Sequence, residues 1–231
     1  MSLKVKGKLK TSTIIWGVIG IILGACLLRV YIWEQHYYAE KEGSERAVAP
    51  EVNNAILDTS AVEETEVTDE DTLNHVVAAD KPRYMSIPKL GIKKARIMEI
   101  GVNAQGELGT PPNIFDVGWY RNSGAPGTGG TAIYDGHNGG PTKEGVFKRI
   151  PELTEGDIIT IERGDGEIFN YKVVNNSTIP VSKANDRMNW VFRSPSPGQE
   201  SLSIITCTGE WSQAQLSYLS RQFLRAILVK V

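Results

Sequence analysis

The amino-acid sequence predicts a mainly-β protein whose folded part is a closed or nearly closed barrel of about 150 residues. Three observations predict this fold class. Short runs rich in Ile, Val, Tyr and Phe recur from residue 83 onward, clusters of Gly, Asn, Asp and Pro separate them, and few stretches have helical spacing. Closely linked strands of this kind favour a barrel over alternating β-α-β units.

The N-terminus predicts a membrane anchor. Four lysines lie in residues 1–10, and the uncharged run TSTIIWGVIGIILGACLL follows over 11–28. As a helix this run is about 27 Å long, close to the hydrocarbon thickness of a bilayer, and Trp16 and Trp33 would lie at the two interfaces. We interpret 1–10 as a cytoplasmic basic tail and 11–33 as an uncleaved transmembrane signal anchor, with the remaining chain outside the cell.

Two other interpretations of this run are weaker. A buried core helix would need a surrounding core, and the acidic residues that follow offer none. A cleaved signal peptide would have a shorter apolar region, and the nearest small-x-small cleavage site, at 47–49, lies far beyond the run.

Residues 34–82 are acidic and contain no aromatic residue after Tyr38 until the folded part begins. Such a segment cannot bury enough surface to offset its ordering entropy, so we expect a disordered linker with a reach of roughly 35–40 Å. The net charge of the whole chain is −2, which argues against a nucleic-acid partner.

The folded domain is predicted over 83–231. Its predicted strands, in chain order, are YMSIPKLGI, ARIMEIGV, GGTAIYDGH, DIITIER, IFNYKVV, SLSIITC and RQFLRAILVKV. Helical turns or short helices are expected in GVFKRIPEL and in parts of 182–192 and 212–220.

Cys207 ends the apolar run SLSIITC and is followed by a Gly-containing segment. The only other cysteine, Cys26, lies in the predicted anchor, so a disulfide does not explain it. A buried small hydrophobe is the alternative. The position at a strand end favours a thiol at the rim of the barrel.

His137 is the single histidine of the predicted domain, because His36 and His75 fall in the linker. It also follows an apolar strand and enters a Gly-rich turn, where a surface or capping role is the alternative. A cysteine and a histidine brought together can form a thiolate–imidazolium pair, the usual activation of a cysteine nucleophile.

Arg221 is the predicted third member of the site. If the chain loops through 208–220 and returns as an antiparallel strand, Arg221 lies beside Cys207, whereas Arg225 is about 13 Å further along. A guanidinium beside the thiol can hold substrate carbonyls and stabilise a tetrahedral oxyanion. An arginine that merely extends into solvent at a strand end is the alternative.

The sequence resembles the sortases, membrane-anchored cysteine transpeptidases of Gram-positive and related bacteria. The matching motifs are TAIYDGHNGG, IITC, RQFLRAILV, VGWY before GAPGTGG, and GVFKRIPELTEGD. The resemblance implies an eight-stranded sortase barrel in which His137, Cys207 and Arg221 are catalytic.

The resemblance also implies a reaction. Cysteine attack on a C-terminal sorting signal of the LPxTG type would give a thioacyl enzyme, which an amine such as a peptidoglycan precursor or a pilin lysine would resolve. Substrate contacts are expected from Thr206, from Asn138 and from Trp190 in the segment 182–200. The implied partners are surface proteins that carry sorting signals, met at the cell membrane with the catalytic domain extracellular.

Several features depart from the common pattern of the family and bear on the subclass. Asn138 stands where many sortases have arginine, and TGEW follows the cysteine. The sequence shows neither an Asp-Pro-aromatic lid before the barrel nor a second apolar segment at its end, so we do not expect the lid-bearing, pilin-polymerising type.

Two other functions remain open at this stage. One is a cysteine endopeptidase that uses water as the acceptor, and the other is a catalytically silent barrel that binds peptides. No cofactor is predicted, because one Cys and one His are too few for a structural zinc site. Four acidic residues could converge on calcium, but a solvated face is the favoured interpretation of Glu144, Asp157, Glu162 and Asp165.

Overall fold

Eight strands form a closed barrel in the computed structural model, which describes residues 62–103 and 106–229. The strands are β1 (Pro82–Ile87), β2 (Ile92–Ile100), β3 (Val117–Tyr120), β4 (Thr131–Gly136), β5 (Ile158–Arg163), β6 (Ile168–Pro180), β7 (Ser201–Ser212) and β8 (Ser217–Val229). The predicted mainly-β barrel is therefore confirmed.

The strand order around the barrel is β1-β2-β3-β4-β7-β8-β6-β5, and β5 pairs back with β1 to close it. Two neighbouring pairs, β2 with β3 and β4 with β7, are parallel, and the others are antiparallel. This order places β7 between β4 and β8. The three strands that carry His137, Cys207 and Arg221, or lead directly into them, are consequently neighbours.

Helical structure is confined to short pieces. The α-helices are α1 (Asp69–Leu73) and α2 (Met188–Val191), and the 3-10 turns are Pro88–Leu90, Ile150–Glu152, Val181–Lys183 and Asn185–Arg187. Helical turns were expected in GVFKRIPEL and in 182–192, and both segments contain them. The helical expectation for 212–220 is wrong, because β7 ends and β8 begins there.

β3 is the strand that the sequence pattern does not reveal. Its residues, VGWY, are all buried, so no alternation of apolar and polar residues marks them. Gly118 is needed within it, since a Cβ atom there would lie 2.7 Å from Ile100 Cδ1 on the paired strand. A four-residue strand without alternation falls below the length at which a strand pattern is distinct.

Two apolar clusters lie on opposite faces of the sheet. The larger fills the barrel interior with side chains from all eight strands, such as Trp119, Tyr134 and Leu224. The smaller lies on the outer face and contains Tyr120, Ile133, Ala184, Met188, Val191, Ile205 and Phe223. The segment 181–192, which includes α2, thus covers the outside of β4, β7 and β8.

The hairpin of β7 and β8 is longer than predicted. The ladder continues past Cys207 as far as the pair Ser212 and Ser217, with a register shift between Thr208 and Trp211. Gly209 lies in this irregular stretch with φ of 83°. A bulge that uses a left-handed glycine adds a residue without ending the ladder, which explains why the apolar pattern stops while the strand continues.

Residues 62–81 form an ordered arm against the barrel, although composition assigns them to the linker. Glu63 pairs with the segment 112–114 through Glu63 N to Pro112 O at 2.9 Å and Ile114 N to Glu63 O at 3.0 Å. α1 is stabilised by a capping box between Thr68 and Asp71. A long-range backbone pairing and a local helix cap thus supply the order that the acidic composition conceals.

The predicted basic tail, the anchor at 11–33 and the first part of the predicted linker lie outside the described residues. Within 62–103 and 106–229, neither helix has the length and apolar character needed to cross a bilayer.

Candidate active site

Cys207 lies where β7 leaves the barrel core. Residues 201–206 are buried, whereas Cys207 is partly exposed and residues 208–212 are partly or fully exposed. Side chains alternate along a strand, so Cys207 shares the outer face with Ile205, a member of the outer cluster. The thiol is free of any disulfide. It therefore lies at the edge of the buried outer surface, beside the segment that covers it.

Arg221 is paired directly with Cys207 across the hairpin, and Arg225 is paired with Ser203, four residues away along β7. The register predicted from the sequence is confirmed, even though the predicted loop over 208–220 is wrong. The Arg221 side chain is 6% exposed. Its Nη1 donates to the carbonyl oxygens of Tyr218 at 3.0 Å and Ser220 at 3.2 Å, which fixes the guanidinium beside the thiol strand.

His137 follows directly after β4, which runs parallel to β7 with Asp135 opposite Ile205. Thr206 Oγ1 donates a hydrogen bond to Gly136 O at 2.7 Å. The residue before the histidine is thereby joined to the residue before the cysteine. This bond and the parallel register bring the backbones of His137 and Cys207 side by side.

The His137 ring is buried and its tautomer follows from one contact. Nε2 lies 2.8 Å from Pro111 O, and a carbonyl oxygen only accepts, so Nε2 carries the proton. In the neutral ring Nδ1 is then the free proton acceptor. The arrangement leaves one basic atom available for chemistry.

Burial favours the uncharged forms of both groups. It raises the pKa of the Cys207 thiol to about 11, against the opposing positive charge of Arg221. Burial also lowers the pKa of His137, with the Pro111 hydrogen bond opposing this shift. These shifts favour a thiol and a neutral imidazole at rest over the thiolate–imidazolium pair that the two groups can form.

Asp135 is an acidic residue of this site that sequence reasoning missed. Burial raises the pKa of its carboxyl to about 7, while a hydrogen bond from Thr110 and the charge of Arg221 act in the opposite direction. The negative charge of Asp135 also raises the pKa of Cys207. The sequence signal that was overlooked is a carboxylate inside the apolar run TAIYDG, two residues before the histidine.

Thr206, predicted to contact the substrate, lies on the face of β7 opposite to that of Cys207. It alternates with Cys207 along β7, so its side chain points into the barrel, where it is 1% exposed and bonds Gly136 O. The prediction followed the family position of the residue and ignored which face of the strand it occupies. Thr206 instead fixes the ends of β4 and β7 to each other.

Asn138 and Trp190 lie near the site in different ways. Asn138 is buried, and its backbone carbonyl oxygen accepts a hydrogen bond from Gly145 N at 2.9 Å. Trp190 is half-buried in α2, with the Arg225 guanidinium 4.1 Å from its ring centroid. Trp190 therefore belongs to the cover over the outer face that carries Cys207.

A cavity of about 330 Å³ opens beside His137. It is lined by Val62, His137, Gly139, Gly140, Pro141, Trp211 and Tyr218. Its walls thus come from the arm, from the turn after His137 and from the extended β7–β8 hairpin. Because Val62 lines it, the arm contributes directly to the surroundings of the histidine.

Glu64 fastens the arm to the turn after His137. Its carboxylate accepts hydrogen bonds from Thr142 N at 2.9 Å, from Lys143 N at 3.1 Å and from the Thr142 hydroxyl. The Thr142 bonds are the main reason that the pKa of Glu64 is lowered. Because the accepting group is the charged form, Glu64 is the main polar link between the arm and this turn.

Glu64→Ala is expected to speed amide hydrogen exchange at Thr142 and Lys143, because both N–H groups lose their acceptor. Hydrogen exchange read by mass spectrometry on the full chain measures this. Glu66→Ala is the matched control, since its ion pair with Lys143, at 3.2 Å, is exposed and contributes little. Unchanged protection at both amides in Glu64→Ala would show that the arm is held by other contacts.

Three of the four acidic residues considered for calcium pair with basic side chains. Asp157 pairs with Lys89 at 2.6 Å, Glu162 with Lys94 at 2.8 Å and Asp165 with Arg163 at 2.6 Å. In the part of the chain that the structure describes, no three side chains of His, Cys, Asp or Glu are grouped to hold a metal ion.

Comparison with known proteins identifies the family. The family model for the sortase domain matches residues 85–229, which is more than half of the chain. A comparison with curated proteins finds no match.

Solved structures that resemble the chain include sortase C1 of Streptococcus agalactiae in complex with MTSET, at TM-score 0.51 and 18% identity, covering 88% of this chain and 92% of that one. Another is the Clostridium perfringens sortase D5 transpeptidase, at TM-score 0.46 and 23% identity, covering 70% of this chain and 86% of that one. At these sequence identities the similarity supports a shared fold and nothing more. The family-model match, found over the same barrel that joins Cys207 to Arg221, establishes that the chain belongs to the sortase family.

Proposed function

We propose that this protein is a cysteine transpeptidase that cleaves a C-terminal sorting signal of the LPxTG type and joins the surface protein to an amine. The observation that carries the proposal is the pairing of Cys207 with Arg221, next to a strand end that presents His137. A nucleophile, a base and a fixed cation then meet at one edge of the barrel. This is the set of groups that acyl transfer requires.

In the first half-reaction Cys207 Sγ attacks the scissile carbonyl carbon while His137 Nδ1 accepts the thiol proton. Because the thiol rests protonated, proton removal accompanies attack rather than preceding it. Arg221 stabilises the oxyanion of the tetrahedral intermediate. The protonated His137 then gives its proton to the departing amine, the C–N bond breaks and a thioester remains on Cys207.

In the second half-reaction an acceptor amine attacks the thioester carbonyl and its proton passes to His137. Collapse of the second tetrahedral intermediate breaks the C–S bond, and the proton on His137 returns to the Cys207 sulfur. The new amide joins the surface protein to a peptidoglycan precursor or to a pilin lysine. Water in place of the amine would give simple hydrolysis, which is the endopeptidase alternative.

The peptide is proposed to lie along the open edge of the outer face of β4, β7 and β8, beside the segment 181–192. This face carries Cys207 and Arg221 and is partly covered by Trp190. Asn138, directly after the base, is proposed to contact the residues near the scissile bond. Thr206 acts from inside the barrel by holding the two strand ends together.

The location is proposed from the N-terminal sequence. Residues 11–33 anchor the protein in the cell membrane as a single span, with residues 1–10 in the cytoplasm and the barrel outside. A sorting signal on an exported protein would meet the enzyme at this surface, so the anchor and the substrate class are consistent with each other.

The test is a mass-spectrometric screen of sorting-signal peptides against the full-length chain, with several amines offered separately and together. The expected result is a thioester on Cys207 and a joined product when a suitable amine is present. Hydrolysis that no amine alters, in rate or in product, would support the endopeptidase instead. Absence of any cleavage across the peptide set would favour the silent, peptide-binding barrel.

Arg221→Ala is expected to lower kcat by a factor of ~10² to 10³, the usual cost of losing an oxyanion donor. Arg221→Lys should recover little, since an ammonium keeps the charge and lacks the planar fork. Arg225→Ala is the matched control. It should lower the melting temperature, because Arg225 packs on Trp190 and bonds Arg193 O, while kcat changes little. An inactive Arg225→Ala beside an active Arg221→Ala would exclude the assigned roles.

A further inference from the structure

Three ionisable side chains share one outer patch of the barrel, and the proposed mechanism uses only two of them. Asp135 lies on β4, Cys207 on β7 and Arg221 on β8. Each is two residues along its strand from a member of the outer cluster: Ile133, Ile205 and Phe223 respectively. Since alternate residues share a face, all three side chains lie on the same side of three neighbouring strands.

The register places Asp135 diagonally across from Cys207 on the neighbouring strand. Asp135 is the partner of Ile205 in the parallel ladder, and Ile205 is two residues before Cys207 on the same face. The charges of Asp135 and Arg221 both act on Cys207, in opposite directions. The thiol thus lies within reach of one anion and one cation, each fixed by its strand.

We propose that Asp135 is a positioning residue for the transfer reaction. When its carboxylate is charged, it disfavours the Cys207 thiolate and attracts the Arg221 guanidinium. When it is neutral, it does neither. The effect of Asp135 on catalysis rests on the proposed function. Its physical basis, the coupling of a carboxyl to a thiol across two strands, does not depend on the identity of the substrate.

The direction of the coupling follows from charge. A thiolate beside a carboxylate is disfavoured, so a charged Asp135 makes Cys207 harder to ionise. A charged Asp135 also attracts the Arg221 guanidinium, which weakens the interaction of Arg221 with the thiolate and later with the oxyanion. A neutral Asp135 leaves the guanidinium to the reacting atoms alone.

The surroundings of Asp135 set the pH at which this change occurs. Burial is the main cause that raises the pKa of its carboxyl to about 7, so the carboxyl changes charge near neutrality. The charged or titratable groups coupled to it are Arg221 from β8 and Cys207 from β7. His137 follows two residues later along the chain. Thr110, from the segment before β3, stabilises the charged form with a hydrogen bond.

The test is the rate of Cys207 alkylation by iodoacetamide as a function of pH, because only the thiolate reacts. Full-length wild type and Asp135→Asn are compared, with peptide mapping to separate Cys207 from Cys26. The ratio of the two rate constants, variant over wild type, should be near one at about pH 5.5. It should rise through neutrality to roughly three- to tenfold above about pH 8, since one pKa unit of coupling is a factor of ten.

Two further variants keep the result interpretable. Thr110→Val removes the bond that favours the charged carboxylate, so it should move alkylation in the same direction as Asp135→Asn just above neutrality, and it tests the proposal even if Asp135→Asn folds poorly. Asp157→Asn removes a carboxylate in the turn before β5 and should leave the alkylation profile of Cys207 unchanged.

A ratio that stays flat from about pH 5.5 to 9 would overturn the inference, as would an equal effect of Asp157→Asn. Either result would leave the proposed function standing, since alkylation needs no sorting signal. Conversely, the expected pH-dependent ratio in a protein that cleaves no sorting peptide would support the coupling and count against the proposed function.

Discussion

Cys207→Ala is expected to abolish peptide cleavage while the barrel stays folded. In the proposed mechanism the thiol supplies the atom that forms the acyl bond, and the described residues contain no other cysteine. The change removes one partly exposed sulfur at the edge of the outer cluster, so the loss of stability should be about 1 kcal/mol or less. Cleavage assays, circular dichroism and a melting curve on the same preparation measure both effects.

Cys26→Ala is the control for this prediction, because it removes the other cysteine of the chain. It should keep full activity and still form the thioester with a sorting peptide. Normal turnover in Cys207→Ala would show that this thiol is not the nucleophile. Thioester formation at Cys26 would show that the nucleophile lies in the N-terminal segment instead.

The barrel and the pairing of Cys207 with Arg221 were both predictable from the sequence. Apolar runs of strand length separated by turn residues define the strands, and an antiparallel hairpin fixes which residue faces Cys207. The pairing survives the error in the loop because the added ladder and its bulge lie beyond Cys207 and Arg221 and leave the register of this pair unchanged. The end of an apolar run was therefore a sign of where the core ends, not of where the strand ends.

Other features escaped sequence reasoning for identifiable physical reasons. β3 is too short and too uniformly buried to show alternation. The first part of the arm, residues 62–68, is ordered through backbone pairing with 112–114 and through the Glu64 hydrogen bonds. Amino-acid composition does not reveal such long-range hydrogen bonds. His75, assigned to the linker, lies 3.0 Å through Nε2 from Ile97 O.

The charge states of the site depend on burial, which a linear sequence does not give. A cysteine and a histidine brought together can form an ion pair, whereas burial shifts the pKa values of Cys207 and His137 toward their neutral forms. Asp135 was passed over because a single carboxylate in a strand is usually solvated. Only the strand register reveals that this carboxyl and the thiol share one face, at the edge of the cluster that 181–192 covers.

His137→Ala is expected to be as inactive as Cys207→Ala, because thiol deprotonation and leaving-group protonation both lose their agent. His75 cannot take its place, because its ring lies against Tyr84 of β1 and its Nε2 against Ile97 O of β2, and neither strand adjoins β7. His137→Gln is a second variant that can still donate to Pro111 O and so preserves the buried contact, but it provides no base. Both variants should fail in cleavage assays, and His75→Ala should remain active.

The pH profile of wild type gives an independent measurement of the same role. As pH falls through the pKa of His137, which burial places below its ordinary value of 6.5, the imidazole becomes charged and can no longer accept the thiol proton. kcat/KM should therefore drop on the acid side below about pH 6.5, and the alkaline limb should follow the thiol, whose pKa is about 11. With chemistry rate-limiting, a profile that stays flat down to about pH 4.5, or an active His137→Gln, would assign the proton transfer to another group.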